Sequence, residues 1–258
     1  MSMKVLITGA AGMVGRALVE HCRAAGDEVF AFDRESLDIA DERAARETFL
    51  NLRPDAAVNC AAWTDVDGCE LDPQRAFLVN SQGVEALATA ARLAGASFVQ
   101  ISTDYVFDGR KAEGFYTQRD DPHPLSAYGA AKLEGERRAQ AASARTSIVR
   151  TSWIYGQGGK NFLATVIARA RRGDQVKAIG DSYGTPTYVP DLVARLREIA
   201  ALEEAGLDAA GVEGVSLDSL KRPAPRPRNS RMRCLLSEAI GLAPLRDWRE
   251  ALRDFARS

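Results

Sequence analysis

The stretch that decides the fold is KVLITGAAGMVG, residues 4–15, near the start of the chain. Its first five residues form an apolar run that predicts a buried β-strand. The glycines that follow, Gly9, Gly12 and Gly15, are spaced GxxGxxG and lead into a helical pattern. Gly9 would permit a tight turn, Gly12 a close approach of the backbone to a diphosphate, and Gly15 close packing of the helix on the strand. The stretch therefore predicts a dinucleotide site at a helix N-terminus, where unpaired N–H groups attract anions.

The first 150 residues continue this alternation of short apolar runs and longer helical patterns. The predicted strands are 4–8, 28–32, 56–60, 97–102 and 146–150, and the predicted helices are 13–25, 74–94 and 127–142. Strands that alternate with helices imply parallel pairing and right-handed crossovers. We therefore predict an α/β fold with a doubly wound parallel sheet of the Rossmann type over residues 1–150. Residues 151–258 have longer loops and should form mainly a smaller substrate-binding lobe, partly interleaved with the first domain.

The end of the second predicted strand carries a carboxylate and a guanidinium, at Asp33 and Arg34. The first can accept ribose hydroxyls and the second can pair with a 2′-phosphate, so NADH and NADPH are both plausible cofactors. Asp38 and Ile39 could flank the adenine, although Asp38 could instead cap a helix. The residues expected to bind the cofactor are Gly9, Ala11, Gly12, Met13, Val14, Gly15, Asp33, Arg34, Asp38, Ile39, Cys60, Ala61, Ala62, Thr64, Ser102, Tyr128 and Lys132.

A tyrosine and a lysine stand one helical turn apart in the segment YGAAK, at Tyr128 and Lys132. At this spacing both side chains lie on one face of the helix. A nearby ammonium should lower the pKa of the phenol from its ordinary value of ~10 and make Tyr128 a general acid toward a carbonyl oxygen. Thr103, at the end of the fourth strand, could hydrogen-bond the same oxygen. An exposed helix with a solvated lysine would show the same pattern, so the interpretation depends on the glycine motif upstream.

The composition of the 258-residue chain is that of a globular protein, with 46% hydrophobic residues and a formal net charge of -1. This balance gives no indication of a nucleic-acid partner. No stretch approaches the ~18 apolar residues of a membrane span, and no signal-peptide pattern precedes the first strand, so we expect a cytoplasmic protein. The four cysteines form no CxxC pair and are predicted to be reduced thiols.

Five segments, TGAAGMVG, AAWTDVDGCE, STDYVFDG, YGAAK and RTSWIYG, follow one another in an order that resembles a known family. They are similar to the dTDP-4-dehydrorhamnose reductases, which are extended short-chain dehydrogenases, over most of residues 3–195 and again at about 218–247. The resemblance implies reduction, by NADPH or NADH, of the 4-keto group of dTDP-4-dehydro-L-rhamnose to dTDP-L-rhamnose. It implies a catalytic set of Thr103, Tyr128 and Lys132. It also implies substrate contacts by Thr103, Asp104, Tyr128, Trp153, Asn161, Arg226 and Asn229.

Two regions depart from the family pattern. Ala17 stands where some members carry a glutamate that binds magnesium between subunits, so we expect no metal site and a monomer or a weak homodimer. Members also carry, beyond the position of Leu202, a further strand with a Tyr-His or Phe-His pair and another helix. We expect a segment to be missing between residues 199 and 207, because a true deletion would remove core from the small lobe. Flanking Cα atoms would then lie farther apart than the ~3.8 Å of a trans peptide.

Other functions remain compatible with this fold, since a fold alone does not define an activity. One alternative is a non-catalytic NAD(P)-binding regulatory subunit, against which the presence of Thr103, Tyr128 and Lys132 argues. Another is an epimerase, or a reductase that acts on a different nucleotide-linked keto-deoxysugar. The STDYVF and RTSW segments disfavour the epimerase but identify neither the sugar nor the base.

Overall fold

A five-stranded parallel sheet lies at the centre of the computed structural model, which describes residues 2–159, 161–173, 183–204, 229–232, 242–243 and 245–257. Its strands are β1 (Lys4–Thr8), β2 (Glu28–Phe32), β3 (Ala56–Asn59), β4 (Ser97–Thr103) and β5 (Thr146–Thr151), in the order β2-β1-β3-β4-β5. The order reverses between β1 and β3, and ligands of such sheets bind beyond the carboxyl ends of the strands at that point. The predicted doubly wound fold is confirmed.

Helices surround this sheet within the described part of the chain. They are α1 (Met13–Ala24), α2 (Glu42–Leu52), α3 (Val66–Leu71), α4 (Pro73–Phe77), α5 (Gly83–Ala94), α6 (Ala127–Ala142), α7 (Phe162–Arg171), α8 (Val189–Glu204) and α9 (Trp248–Arg257). Two short strands, β6 (Ile154–Tyr155) and β7 (Thr187–Tyr188), pair with each other in parallel.

Alternate residues of β1 point to opposite faces of the sheet, and both faces are covered. Val5 and Ile7 belong to one buried cluster with residues of α1 and α8, including Leu18 and Leu196. Leu6 belongs to a second cluster, on the other face, with residues of α2, α5 and α6. Burial on both faces explains why the strands read as continuous apolar runs rather than as an alternating pattern.

The predicted helix over 74–94 is wrong in its middle. The structure divides it into α4, a π-helical turn over Leu78–Gln82, and α5. This turn carries Asn80, whose side-chain amide accepts from the backbone N–H of Trp63 and donates to its carbonyl, both at 2.9 Å. Wide turns of this kind are rare in proteins overall, and those that do occur are frequently found at functional sites. Here the turn holds the segment that follows β3.

The part of the chain beyond residue 150 is joined closely to the sheet. Helix α8 packs beside α1, and Arg197 binds Asp27, which precedes β2, through two bonds of 2.7 and 2.8 Å. In α9, the ring of Phe255 packs against Tyr155 and Tyr188. Helix α8 runs unbroken to Glu204, so the predicted gap does not fall within 199–204; residues 205–207 lie outside the described part.

Two of the predictions from the sequence concern membrane spans and the oxidation state of the cysteines. Among the described residues, no helix combines the length and apolar character that a membrane crossing requires. The three cysteines in that part of the chain, Cys22, Cys60 and Cys69, are free thiols. The fourth, Cys234, lies outside it.

Candidate active site

The glycine motif packs as tightly as its spacing predicts. Gly9 has φ +66°, and a Cβ there would lie 2.5 Å from the backbone nitrogen of Ala61. A Cβ on Gly15 would lie 2.2 Å from the carbonyl oxygen of Gly9. At Gly12, in contrast, a Cβ would approach the Gly9 oxygen alone, at 3.2 Å. Packing within the protein therefore requires glycine at positions 9 and 15, whereas glycine at position 12 leaves open space in front of α1.

The N-terminus of α1 faces that space without a polar side chain of its own. Gly12 is the N-cap residue and makes no side-chain hydrogen bond, and the first turn contains no acidic residue. The first N–H groups of a helix lack intrahelical partners and carry the positive end of its dipole. These groups fit the diphosphate of a dinucleotide, which agrees with the predicted position of the cofactor.

A cleft of about 280 Å³ opens beside this helix end, at the switch between β1 and β3. Ten of the predicted cofactor residues line it: Gly9, Ala11, Gly12, Asp33, Arg34, Asp38, Ile39, Cys60, Ala61 and Ala62. Four lining residues were not predicted: Leu37, Trp63, Arg75 and Val79. The guanidinium of Arg75 stacks on Trp63 at 4.4 Å from the ring centroid. Met13, Val14, Gly15, Thr64, Ser102, Tyr128 and Lys132 do not line this cleft.

The two acidic residues of the cleft also shape its loops. Oδ1 of Asp33 accepts from the hydroxyl and the N–H of Ser36, at 2.6 and 2.9 Å, and these bonds lower the pKa of the Asp33 carboxyl. Oδ1 of Asp38 accepts from the N–H of Ala40 at 3.0 Å. The N-cap of α2 is Asp41, which accepts from Ala44, so the alternative role of Asp38 as a helix cap is wrong.

The three predicted catalytic residues meet where β4 ends and α6 begins. Thr103 is the last residue of β4, and Tyr128 lies in the first turn of α6, which Ser126 caps by accepting from the N–H of Gly129. A Cβ on Gly129 would lie 2.2 Å from the carbonyl oxygen of Tyr105. This close approach brings Tyr128 against the turn after β4, where its phenol is buried near the Thr103 hydroxyl and its ring packs edge-on against Tyr105.

The electrostatics of Tyr128 differ from the prediction. Burial raises its pKa, the Asp104 carboxyl raises it further, and the nearby Thr103 hydroxyl lowers it only in part. The predicted net lowering of the phenol pKa is therefore wrong for this structure, in which burial dominates and Nζ of Lys132 donates to the carbonyl oxygen of Ile101 at 2.6 Å. Burial lowers the pKa of Lys132 to about 8, and Glu136 acts against that shift.

Asp104 is a second buried acid beside the phenol. Its Oδ1 accepts from the Thr103 hydroxyl at 3.0 Å, and its Oδ2 accepts from the Ser230 hydroxyl at 2.8 Å. Burial raises the pKa of Asp104 to about 7, against the effect of both hydroxyls. The short segment at 229–232 therefore reaches the end of β4, which links the C-terminal part of the chain to the predicted catalytic set.

The remaining predicted substrate residues are placed differently from one another. Trp153 is 40% exposed and has φ +39°, a strained value for a large side chain, and its ring packs near Phe162. The amide of Asn161 bonds to the carbonyl of Gly156 and caps α7 through Ala164, and the amide of Asn229 donates to the carbonyl of Lys111. Contacts of these two amides with a substrate stay predictions. Arg226 lies outside the described residues.

Comparison with known proteins identifies the family. The family model described as the RmlD substrate binding domain matches residues 3–205. The chain belongs to this family. It is 38% identical to the dTDP-4-dehydrorhamnose reductase of Mycolicibacterium smegmatis, over 98% of this chain and 85% of that protein. The predicted resemblance is confirmed.

Solved structures agree with this membership. A dTDP-4-dehydrorhamnose reductase from Clostridium acetobutylicum is similar with a TM-score of 0.91 and 34% identity, over 99% of both chains. The enzyme from Bacillus anthracis, solved in complex with NADP, is similar with a TM-score of 0.89 and 30% identity, again over 99% of both.

The sequence did not predict the buried carboxylate of Glu136 in this RmlD-family site. Glu136 lies on α6 one turn beyond Lys132 and binds Ser102 and Arg150. The spacing of four residues from Lys132 was the available signal, since it places both side chains on one helix face. Among the described residues, no group of three or more His, Cys, Asp or Glu side chains could hold a metal ion.

Proposed function

We propose that this protein uses NADPH or NADH to reduce the 4-keto group of dTDP-4-dehydro-L-rhamnose to the alcohol of dTDP-L-rhamnose. The observation that carries the proposal is the meeting of Thr103, Tyr128 and Lys132 at the end of β4, beside the nucleotide cleft. Membership of the RmlD family supports the substrate. A non-catalytic subunit would have no use for a buried tyrosine and lysine at this place.

The reduced nicotinamide, when bound, supplies hydride to the carbonyl carbon. The task left to the protein is to orient the sugar and to deliver one proton to the carbonyl oxygen. Tyr128 has the proton for this step, because its raised pKa keeps the phenol protonated at neutral pH. The Lys132 ammonium, one helical turn away, and the Thr103 hydroxyl would stabilise the phenolate that remains. Lys132 would also hold the ribose of the nicotinamide.

The substrate would lie between this catalytic set and Trp153. The strained backbone at Trp153 turns its indole toward solvent between β5 and β6, where an apolar ring suits a deoxysugar that carries a methyl group. Asp104 lies within the same corner and would approach the sugar hydroxyls. Arg226 and Asn229, in the basic C-terminal segment, would meet the diphosphate of the substrate.

The wider predictions belong to the same proposal. Residues 1–150 would form the nucleotide-binding domain, and residues 151–258 would supply mainly the substrate-binding lobe. The protein would work in the cytoplasm as a monomer or weak homodimer, without a bridging metal ion.

The test is turnover of dTDP-4-dehydro-L-rhamnose, followed by loss of nicotinamide absorbance, in the wild type and in Tyr128→Phe. We expect kcat to fall by about 100-fold or more in the variant, the usual range for loss of a general acid. Binding of NADPH should persist, because the phenol does not line the nucleotide cleft. Equal kcat values in a folded variant would remove Tyr128 from the mechanism. An inactive wild type that binds NADPH would favour a regulatory subunit.

A further inference from the structure

A buried ion pair joins Glu136, one helical turn beyond Lys132 on α6, to Arg150 on β5. The side chain of Glu136 is 4% exposed, and its carboxylate accepts from Arg150 twice, from Nε at 3.0 Å and from Nη2 at 2.7 Å. The hydroxyl of Ser102 donates to the same carboxylate at 2.5 Å. Arg150 also lies over the ring of Phe107, 5.1 Å from its centroid.

Three consecutive residues of β4 are connected to one face of α6. The carbonyl of Ile101 accepts from Lys132, the hydroxyl of Ser102 donates to Glu136, and the hydroxyl of Thr103 lies near the phenol of Tyr128. The three α6 residues are four positions apart, so they share one helix face. The strand and helix that carry the catalytic set are therefore held in register by the set itself and by Glu136.

An ion pair at this depth is not required for stability alone. Removing charges from water costs several kcal/mol per ion, and well-packed apolar residues often replace such pairs without loss of stability. A lysine amine buried beside the substrate, in contrast, needs a nearby negative charge if it is to stay protonated. Burial favours its neutral form, and a neutral amine has no charge with which to stabilise a phenolate.

We propose that Glu136, fixed by Ser102 and Arg150, is a positioning residue that keeps the Lys132 amine in its ammonium form during the reaction. This inference rests on the proposed function, since it assigns a partner to the lysine of that mechanism. Glu136 touches neither the nucleotide cleft nor Thr103, so it acts through Lys132 and is not itself a catalytic residue.

Other titratable groups on the elements packed against α6 have separate partners or positions. On α3, Glu70 accepts from the N–H of Ala127; on α5, Glu85 binds Arg138. Asp104, after β4, acts on the Tyr128 phenol, as do Tyr105 and Cys69 to a smaller degree. Arg150, on β5, is bound to Glu136 itself. The carboxylate of Glu136 is the charge that supports protonation of Lys132 against burial.

The experiment compares pH profiles of kcat for the wild type and Glu136→Gln, with NADPH and dTDP-4-dehydro-L-rhamnose as substrates. We expect the alkaline limb of the variant to move to lower pH by about one pH unit or more, since the amide carries no charge. The matched control is Glu134→Gln, which lies two positions before Glu136 and removes a carboxylate about one third exposed that pairs with Arg138, four positions further along α6. Its alkaline limb should coincide with that of the wild type.

The double variant Glu136→Gln/Arg150→Met covers the case in which the single variant does not fold, because it leaves no unpaired buried charge. Its alkaline limb should move in the same direction, and Glu136→Asp should restore a limb close to that of the wild type. An active, folded Glu136→Gln or double variant whose limb does not move overturns the inference and leaves the proposed function standing. An inactive wild type would instead refute the proposed function.

Discussion

Substitution of Gly15 by alanine tests the packing of the phosphate cradle. The new Cβ would lie 2.2 Å from the carbonyl oxygen of Gly9, which belongs to the backbone and cannot rotate away. Ordinary contact distances begin near ~3.5 Å, so the loop and α1 must separate by about 1 Å. Helix N–H groups that bind an anion would move by the same amount. A misplacement of this size can cost about 100-fold, and we expect NADPH affinity to fall by between about 10-fold and 100-fold.

Fluorescence titration of NADPH measures this loss, and thermal unfolding shows whether the variant is folded. Glu20→Ala is the control, because Glu20 is an exposed residue of the same helix and lies away from the cleft. Its affinity for NADPH should equal that of the wild type. The reasoning is refuted if folded Gly15→Ala binds NADPH as tightly as the wild type, since the helix end would then not position the diphosphate.

Three further predictions concern charge. Arg34 lines the cleft, so Arg34→Ala should raise KM for NADPH about 10-fold more than KM for NADH; equal changes would place the 2′-phosphate elsewhere. Arg197→Met leaves the fully buried Asp27 carboxylate unpaired and should lower the free energy of unfolding by about 3 kcal/mol or more, whereas Asp27→Leu/Arg197→Met should recover most of it in denaturant melts. The pKa of Lys132 is lowered to about 8, so wild-type kcat should be steady near neutral pH and fall as pH rises above 8; a rate that stays constant to pH 10 would show that the ammonium is not needed.

The elements of the sheet were predictable because their signals are local. Each of the five strands is a short apolar run, and the predicted ends lie within one residue of the observed ones. The π-helical turn over Leu78–Gln82 was not predictable in this way. The turn carries Asn80, which contacts Trp63, 17 residues away, and helical periodicity carries no information about such a contact.

The same distinction between local signals and contacts distant in sequence applies to the candidate site. The roles of Gly9 and Gly15 follow from spacing, and the structure shows the backbone contacts that require them. The sequence predicted an acidic phenol at Tyr128, whereas burial raises the pKa of that group. Whether a side chain is buried depends on every element around it, and so does the sign of its pKa shift.

The sequence by itself determined the strand–glycine–helix unit, the alternation that makes the sheet parallel, and the YxxxK face, because each depends on neighbours along the chain. The tertiary structure determined which side chains distant in sequence form hydrogen bonds: Glu136 with Ser102, Ser230 with Asp104, and Arg197 with Asp27. These contacts join residues 34, 126 and 170 positions apart. Such pairs form only when the packed layers bring them together, and the charges they bury are stabilised by their partners rather than by water.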